Sequence, residues 1–397
     1  MAQTRCQEHY HLRAALISLP QPGEDAQPSL AGKTIAQRQL LFARECGCTM
    51  VIAHGGGASE DAIAMRHAAE KAGMRYQVIS NTHALSGAIG NNDTLLVLQP
   101  GLLPEAKQAL DLLRAEGDRL LIVSAGPGAA AGLERIDLDR AWGGAMTLPG
   151  SWLERLGGLP EDAAPHAALL RIALQQRLPE ARMADTVLDD GRWMIVDSEE
   201  TARWREKGWL RDHLGDSSSG QFSRWIAQQT IGRAGSWLVE RAWSRPAFLG
   251  FAAVLLGSSV AAAIYDSPVA AFALAALSVP VLEAFFALSR LIAAPFGRTR
   301  RLYLLRHAVD AALLTVSLLS IDSLWYRAAF PSFVLIIALV LLDRGVVRPL
   351  IEPLCDRGLV AVSIAALAVL TSSEIAIMLV AFVVLAARLS PDAKNSG

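Results

Sequence analysis

The sequence predicts two architectures in series: an α/β unit, then an all-α bundle of about six membrane helices. Three observations predict this. Hydrophobic residues make up 52% of the 397 residues and charged residues only 19%, which is apolar for a soluble chain. The apolar excess begins after Pro246; up to about Arg245 the chain mixes charges, Gly and short apolar runs. Within that first part, strand-like and helix-like segments alternate, the pattern of a parallel sheet flanked by helices.

The elements follow in order. "AALISL" (14–19) is a short buried-strand run, and "TIAQRQLLFAREC" (34–46) has helical spacing. "TMVIAH" (49–54) reads as a strand, "ASEDAIAMRHAAEKAG" (58–73) as a helix and "RYQVIS" (75–80) as a strand. "DTLLVLQP" (93–100) is a strand, followed by the helix "PEAKQALDLLRAEG" (104–117) and by "DRLLIVSAG" (118–126), which closes the regular part.

Two glycine-rich pieces follow strands. His54-Gly55-Gly56-Gly57 looks like an oxyanion-hole loop, but no G-x-S-x-G elbow accompanies it; the other reading is a strand-to-helix turn that glycine keeps free of strain. "GPGAAAG" (126–132) is either a turn or a close backbone approach to a phosphate, and it lacks the dinucleotide spacing. Cys6, Cys46, Cys48 and Cys355 make no disulfide framework, and Cys46-Gly47-Cys48 has no second half with zinc-ligand spacing. The N-terminus has no apolar signal core, so the N-terminal part is expected in the cytoplasm. A formal net charge of −1 points away from nucleic acid as a partner.

A connector follows. Ser217 to Gly220 mark a flexible break. Beyond it, Phe222, Trp225, Ile231, Trp237 and Trp243 alternate with Arg224, Arg233, Arg241 and Arg245. That mixture predicts an interfacial amphipathic helix, broken near Gly232 to Gly235; the alternative is a plain helix packed on the soluble domain. The expected domains are 1–213, a connector over 214–245, and a transmembrane domain over 246–397.

Apolar spans lie near 247–265, 269–294, 308–325, 328–343 and 358–389. The last exceeds the ~20 residues one crossing needs and is interrupted at Thr371 to Glu374, so it is read as two short spans; one long tilted helix is the alternative. Arg298, Arg300, Arg301 and Arg306 form one basic loop, and Arg344, Arg348 and Arg357 another. The positive-inside rule puts these loops and both termini on the cytoplasmic side of an inner, multi-pass membrane protein. Glu283 and Arg290 sit in the second span, seven residues apart on one helix face, about 10 Å from each other. Each needs a partner from another span, and Asp310 is the expected partner of Arg290.

The first half resembles the sugar-phosphate and inositol-phosphate nucleotidyltransferases, which share a glycosyltransferase-A-like sheet. "AGKTIAQRQLLFARECGCTMVIAHG", with Lys33, resembles one segment of that family, and "WMIVDSEETARWREKGWL", with Asp197, its closing motif. The resemblance implies that Lys33 and Asp197 are remnants of the nucleotide site. The family's phosphate loop is replaced by "SLPQPGEDAQPSLAG", without Arg or Lys before Lys33; its metal-binding Asp falls at Gln99 or Pro100; Ile195 stands where the closing motif has its first Asp. For Asp197 alone, a helix N-cap region is the competing reading.

The second half resembles the CDP-alcohol phosphatidyltransferases, from "GQFSRWIAQQTIGRAGSWLVERAWSRP" into the first span. That family's four metal-binding Asp residues lie in D-x-x-D-G-x-x-A-R and G-x-x-x-D-x-x-x-D. Here they fall on Leu282, Phe285, Arg306 and Asp310, with Arg290 and Asp310 keeping their identities. The resemblance implies no cofactor, with magnesium entering only if the site is active despite the missing carboxylates, Asp310 as the residual catalytic group, and Arg290 and Arg306 as lipid-phosphate ligands. An anchor cluster at the cytoplasmic face is the competing reading of these arginines.

Three functions are therefore expected. The first is a non-catalytic pseudoenzyme of phospholipid-headgroup metabolism that binds membrane lipid and partners a motif-intact transferase or a second copy of itself. The others are an active transferase with a divergent site and an unrelated membrane scaffold or transporter.

Overall fold

The computed structural model describes residues 12–21, 26–55, 59–158, 163–214, 222–241, 243–297, 304–343 and 352–389. The chain divides into two units, Met1–Lys207 and Gly208–Gly397.

In the first unit the strands are β1 (Arg13–Ser18), β2 (Ser29–Leu30), β3 (Lys33–Thr34), β4 (Met50–His54), β5 (Arg75–Ile79), β6 (Thr94–Leu98), β7 (Leu102–Pro104), β8 (Leu120–Ser124), β9 (Arg140–Pro149), β10 (Glu180–Arg182) and β11 (Trp193–Ile195). The helices are α1 (Ile35–Glu45), α2 (Glu60–Lys71), α3 (Leu85–Ala88), α4 (Lys107–Arg114), α5 (Ala125–Ala130), α6 (Pro165–Gln175) and α7 (Thr186–Asp189), and α8 (Glu199–Leu214) begins in this unit and ends in the second. Local chemistry starts them. Thr34 and Gln37 form a reciprocal capping box at α1, and Ser59 caps α2 ahead of Glu60 and Asp61, which suit the positive end of the helix dipole.

The main sheet has seven strands in the order β10-β8-β9-β6-β1-β4-β5. β1 pairs in parallel with β4 and β6, and β4 with β5. The apolar runs of β1, β4 and β6 are buried along their length, as strands covered on both faces must be.

Two expectations are corrected here. The sheet is mixed, because β9 is inserted antiparallel to both β6 and β8. Its Gly143-Gly144 pair interrupts the apolar run by which strands are recognised; a Cβ on Gly143 would lie 2.9 Å from the Leu121 Cβ, so the close approach demands glycine. And "GPGAAAG" is mostly helix, α5, rather than a plain turn. A Cβ on Gly128 would sit 2.6 Å from the Ala141 Cβ, so that glycine serves helix-on-strand packing.

In the second unit, α9 (Phe222–Glu240) is continuous, correcting the expected break near Gly232 to Gly235. Gly235 packs against Leu210 and Leu291, which gives that small residue a role without a kink. Six further helices follow among the described residues: α10 (Ser244–Ile264), α11 (Pro268–Ala293), α12 (Arg306–Leu319), α13 (Trp325–Asp343), α14 (Arg357–Leu370) and α15 (Ser373–Leu389). The chain breaks helix at Thr371-Ser372, so the last apolar stretch is two helices rather than one long one.

Three helices, Ser244–Ile264, Pro268–Ala293 and Trp325–Leu342, are long and apolar enough to cross a membrane, and Arg357–Leu370 and Ser373–Ala387 are shorter apolar helices. α11 is the axis of the bundle: it packs against α9, α10, α12 and α14, and most of its face is buried. Small residues let neighbours approach it, as where the Ser259 hydroxyl of α10 donates to the Ala271 carbonyl of α11 at 2.9 Å.

Candidate functional site

Each unit holds one candidate site. In the helical unit, polar groups converge where α9, α11, α12 and the N-terminus of α14 meet. Glu283, on α11 and only 7% exposed, accepts a 2.5 Å bond from Arg306 Nη2 on α12, and Arg224 Nε of α9 lies 3.9 Å from its other oxygen. Asp310, also 7% exposed, accepts a 3.0 Å bond from Arg357 Nε, and His307 Nδ1 is 3.7 Å from its second oxygen. Asp356, 3% exposed, accepts from the Ser223 amide at 2.6 Å and its hydroxyl at 2.7 Å, and caps α14 through Gly358 N at 2.8 Å and Leu359 N at 3.4 Å.

These side chains enclose a cavity of about 40 Å³ into which Arg224, Arg306 and Arg357 face with Glu283 and Asp356. That is room for about three waters, the footprint of a small oxyanion. Around it three guanidiniums meet three carboxylates, Glu283, Asp310 and Asp356, the last also accepting from the neutral donors of Ser223 and the first turn of α14.

The predicted Arg290–Asp310 pair does not form in the way expected: Asp310 is bonded to Arg357. Arg290 does not line the cavity, and its Nε is buried without a hydrogen-bond partner. Its position two turns beyond Glu283 on one helix carries it past the cluster. Arg306 does line the cavity, and Asp310 is tied to it through Arg357. Arg298, Arg300, Arg301, Arg344 and Arg348 lie outside the described residues. Sequence reasoning missed Arg357 as a site residue and missed Ser223 and Asp356 altogether. The signal was an Asp at an N-cap position just before an apolar run.

A magnesium site is not supported by these donors. Among the described residues no group of three or more His, Cys, Asp or Glu is placed to hold a metal. Glu283 and Asp310 each already face a guanidinium, where a hard cation would need carboxylate oxygens free to coordinate it.

The α/β unit carries a larger cavity, about 560 Å³, at the C-terminal ends of β1 and β4, with Pro28, Ile35, Pro165 and His166 in its lining. Gly55, at φ +147°, lets the chain leave β4 there; a Cβ would meet the Leu19 carbonyl at 2.6 Å. Gly56 and Gly57 lie outside the described residues. His54 and His166 both line the cavity. Burial lowers the pKa of His54. Burial, and then the neighbouring His54, push His166 down to about 4. The His166 ring stacks on Trp142 with centroids 6.4 Å apart, and its Nδ1 is buried without a hydrogen-bond partner.

Asp197 lines this cavity and is exposed; the helix cap beside it is Ser198, whose Oγ accepts from Thr201 N at 3.3 Å. Lys33 is elsewhere. It lies on β3 near Arg38 and Glu105, and burial followed by the Arg38 charge lowers its pKa to about 8. The two expected nucleotide-site remnants are therefore not joined in one site. Cys46 and Cys48 are buried thiols, Cys46 pushed up to about 12 and Cys48 raised further, so neither is a ready thiolate. Cys6 lies outside the described residues.

The histidines make a pH test. Both folded pKa values lie below the ordinary 6.5, so the unfolded chain takes up protons first. Stability is then full above about pH 6.5, is lost as pH falls toward about 4, and levels off below it. His166 alone should account for about 2 kcal/mol between pH 7 and pH 5. Hydrogen-exchange protection of β4 and β9 amides in the full-length protein, corrected for intrinsic rates, should fall accordingly, and His166→Gln should remove most of the fall.

No protein-family model and no curated protein matches the chain. Solved structures do. One is a UDP-glucose pyrophosphorylase complexed with UDP-glucose, 12% identical, covering 49% of this chain and 99% of its own, at a TM-score of 0.32. A UDP-glucose pyrophosphorylase from Acinetobacter baumanii is 11% identical over 51% of this chain and 94% of its own, TM-score 0.37. A 4-diphosphocytidyl-2C-methyl-D-erythritol synthase is 14% identical over 50% and 98%, TM-score 0.36. These are similarities of about half the chain; the α/β class itself rests on the strand order and pairing described above.

Proposed function

We propose that this is a membrane protein of phospholipid-headgroup metabolism whose helical unit binds an anionic phospholipid without catalysing its transfer. The observation that carries the reading is the meeting of a three-arginine cavity with an apolar groove at Ser223, which lines both. The groove, about 490 Å³, lies between α9, α11 and α14. It extends from Gly358 and Pro280 beside the ion cluster to Val369 and Val269. Roughly eleven residues along each helix make it about 16 Å long, half of a ~30 Å hydrocarbon core. A phospholipid matches that layout, with its phosphate against guanidiniums that bond oxyanions strongly and one chain reaching through a single leaflet. The pairing of Glu283 and Asp310 with arginine argues against the divergent-transferase reading, since metal-assisted phosphoryl chemistry needs those carboxylates for cations. The bundle is placed in the inner membrane with its basic loops cytoplasmic, and a motif-intact transferase or a second copy is the partner.

The test is lipid retention. Full-length protein purified in mild detergent should carry anionic phospholipid, read by native mass spectrometry. Arg224→Gln and Arg306→Gln should each lower retention about tenfold, the loss of one charge-assisted contact, while an exposed control such as Arg327→Gln leaves it unchanged. Retention unaffected by either variant defeats the reading. CMP release from CDP-diacylglycerol and an alcohol acceptor, abolished by Asp310→Asn, would replace it with the active-transferase alternative.

A further inference from the structure

We propose that the cavity at the C-terminal ends of β1 and β4 binds a neutral, hydroxyl-bearing small molecule and excludes nucleoside triphosphates. The inference stands apart from the lipid reading, because it concerns the other unit. It also departs from what the nucleotidyltransferase resemblance implies for this end of the sheet.

Size and wall chemistry come first. About 560 Å³ is within the ordinary range for a small-molecule site, and such sites are mostly apolar with a few placed polar groups. Four prolines, with Leu19, Ile35 and Val196, supply the apolar wall, suited to the C–H faces of a sugar or polyol. The polar lining is Ser18, Gln21, Gln27, His54, His166 and Asp197. Gln27 is committed to the backbone: it donates to the Ser18 carbonyl at 3.0 Å and accepts from Ala36 N at 3.1 Å.

Charge decides the ligand class. Among the described residues lining the cavity there is no Lys or Arg, and Asp197 is the lone acid. A triphosphate needs guanidinium or ammonium partners, or a run of free backbone N–H groups at a helix N-terminus, to replace its hydration; of the two helix starts that line the cavity, α1 has its Ile35, Ala36 and Gln37 amides bonded to Pro28, Gln27 and Thr34, and α6 opens with Pro165, which has no N–H. Against an acid-bearing wall it meets repulsion instead.

The imidazoles supply the positive case for hydroxyls. Kept neutral at pH 7 by burial, His54 and His166 each carry one donor and one acceptor nitrogen. A hydroxyl both donates and accepts, so it satisfies either tautomer. His166 is held in plane by Trp142, and its buried Nδ1 has an unfilled hydrogen-bonding valence.

Calorimetric titration of the full-length protein in detergent tests this, using myo-inositol, glucose, cytidine, uridine, CTP and UTP, the nucleotides with and without magnesium. At least one neutral compound should bind, and CTP and UTP should bind at least about tenfold more weakly than it. A cyclitol or sugar binding alone identifies a carbohydrate source; cytidine or uridine binding alone identifies a nucleoside. His166→Ala should weaken the neutral ligand by about tenfold, one buried hydrogen bond, and His166→Asn should recover part of that. Hydrogen-exchange protection of β1 and β4 confirms that each variant is folded. The proposal is overturned if a triphosphate binds more tightly than every neutral compound. It is equally overturned if folded protein binds none of the neutral compounds, or if His166→Ala leaves binding unchanged.

Discussion

Arg38→Met will destabilise the α/β unit by about 4 kcal/mol, whereas Arg38→Met combined with Glu105→Leu will cost far less. Arg38 on α1 donates to Glu105 at 3.0 Å, and both side chains are 1% exposed. Arg38 also donates to the Leu30 carbonyl, so it joins α1 to β2 as well as to the segment after β7. Burial lowers the Arg38 pKa and Glu105 pulls it back, the signature of a charge kept ionised by its partner. Removing one member strands the other in a medium that cannot hydrate it; removing both replaces the pair with apolar packing. Urea unfolding of the two variants, followed through exchange of β1 amides, distinguishes the outcomes. A double variant as unstable as the single one would show that the Leu30 contact, not the ion pair, holds this corner.

The second large effect is in the helical unit. Asp356→Ala should cost about 3 kcal/mol and detach α9 from α14. One carboxylate accepts four hydrogen bonds, two from Ser223 at the start of α9 and two from the first turn of α14. The cap alone is worth ~1 kcal/mol, and the buried Ser223 amide left without an acceptor adds 1–3 kcal/mol. Asp356→Asn retains an acceptor and should lose about half as much. Thermal melting in detergent, with the Ser223 amide as a local exchange probe, reads both. Full protection at Ser223 in Asp356→Ala would mean that apolar contacts alone dock α9.

The order of elements was legible wherever apolar periodicity was clean. β1, β4, β5, β6 and β8, with α1, α2 and α4, fall where the sequence predicts them. The reading failed after residue 126, because glycine hides both strand and helix signals: Gly143-Gly144 masks β9 and Gly126, Gly128 and Gly132 mask α5. Ionic partners were legible as residue types but not as pairs. Glu283 and Asp310 announce themselves by lying in apolar segments, yet their cations arrive from helices 23 and 47 residues away. Register on one helix shows which faces coincide; it says nothing about which neighbour meets them. His54 stood out only through the glycines after it and His166 gave no signal; the two are 112 positions apart, and only the sheet topology puts both at one cavity.

The distribution of those cations also sets an order of assembly. A ribosome releases α11 before α12, and α12 before α14, so Glu283 emerges ahead of Arg306, and Asp310 ahead of Arg357. Glu283 has one cation ahead of it, Arg224 of α9, and one behind it, whereas Asp310 waits for Arg357. The ion cluster is therefore completed last, when the Arg357 end of α14 meets Asp310.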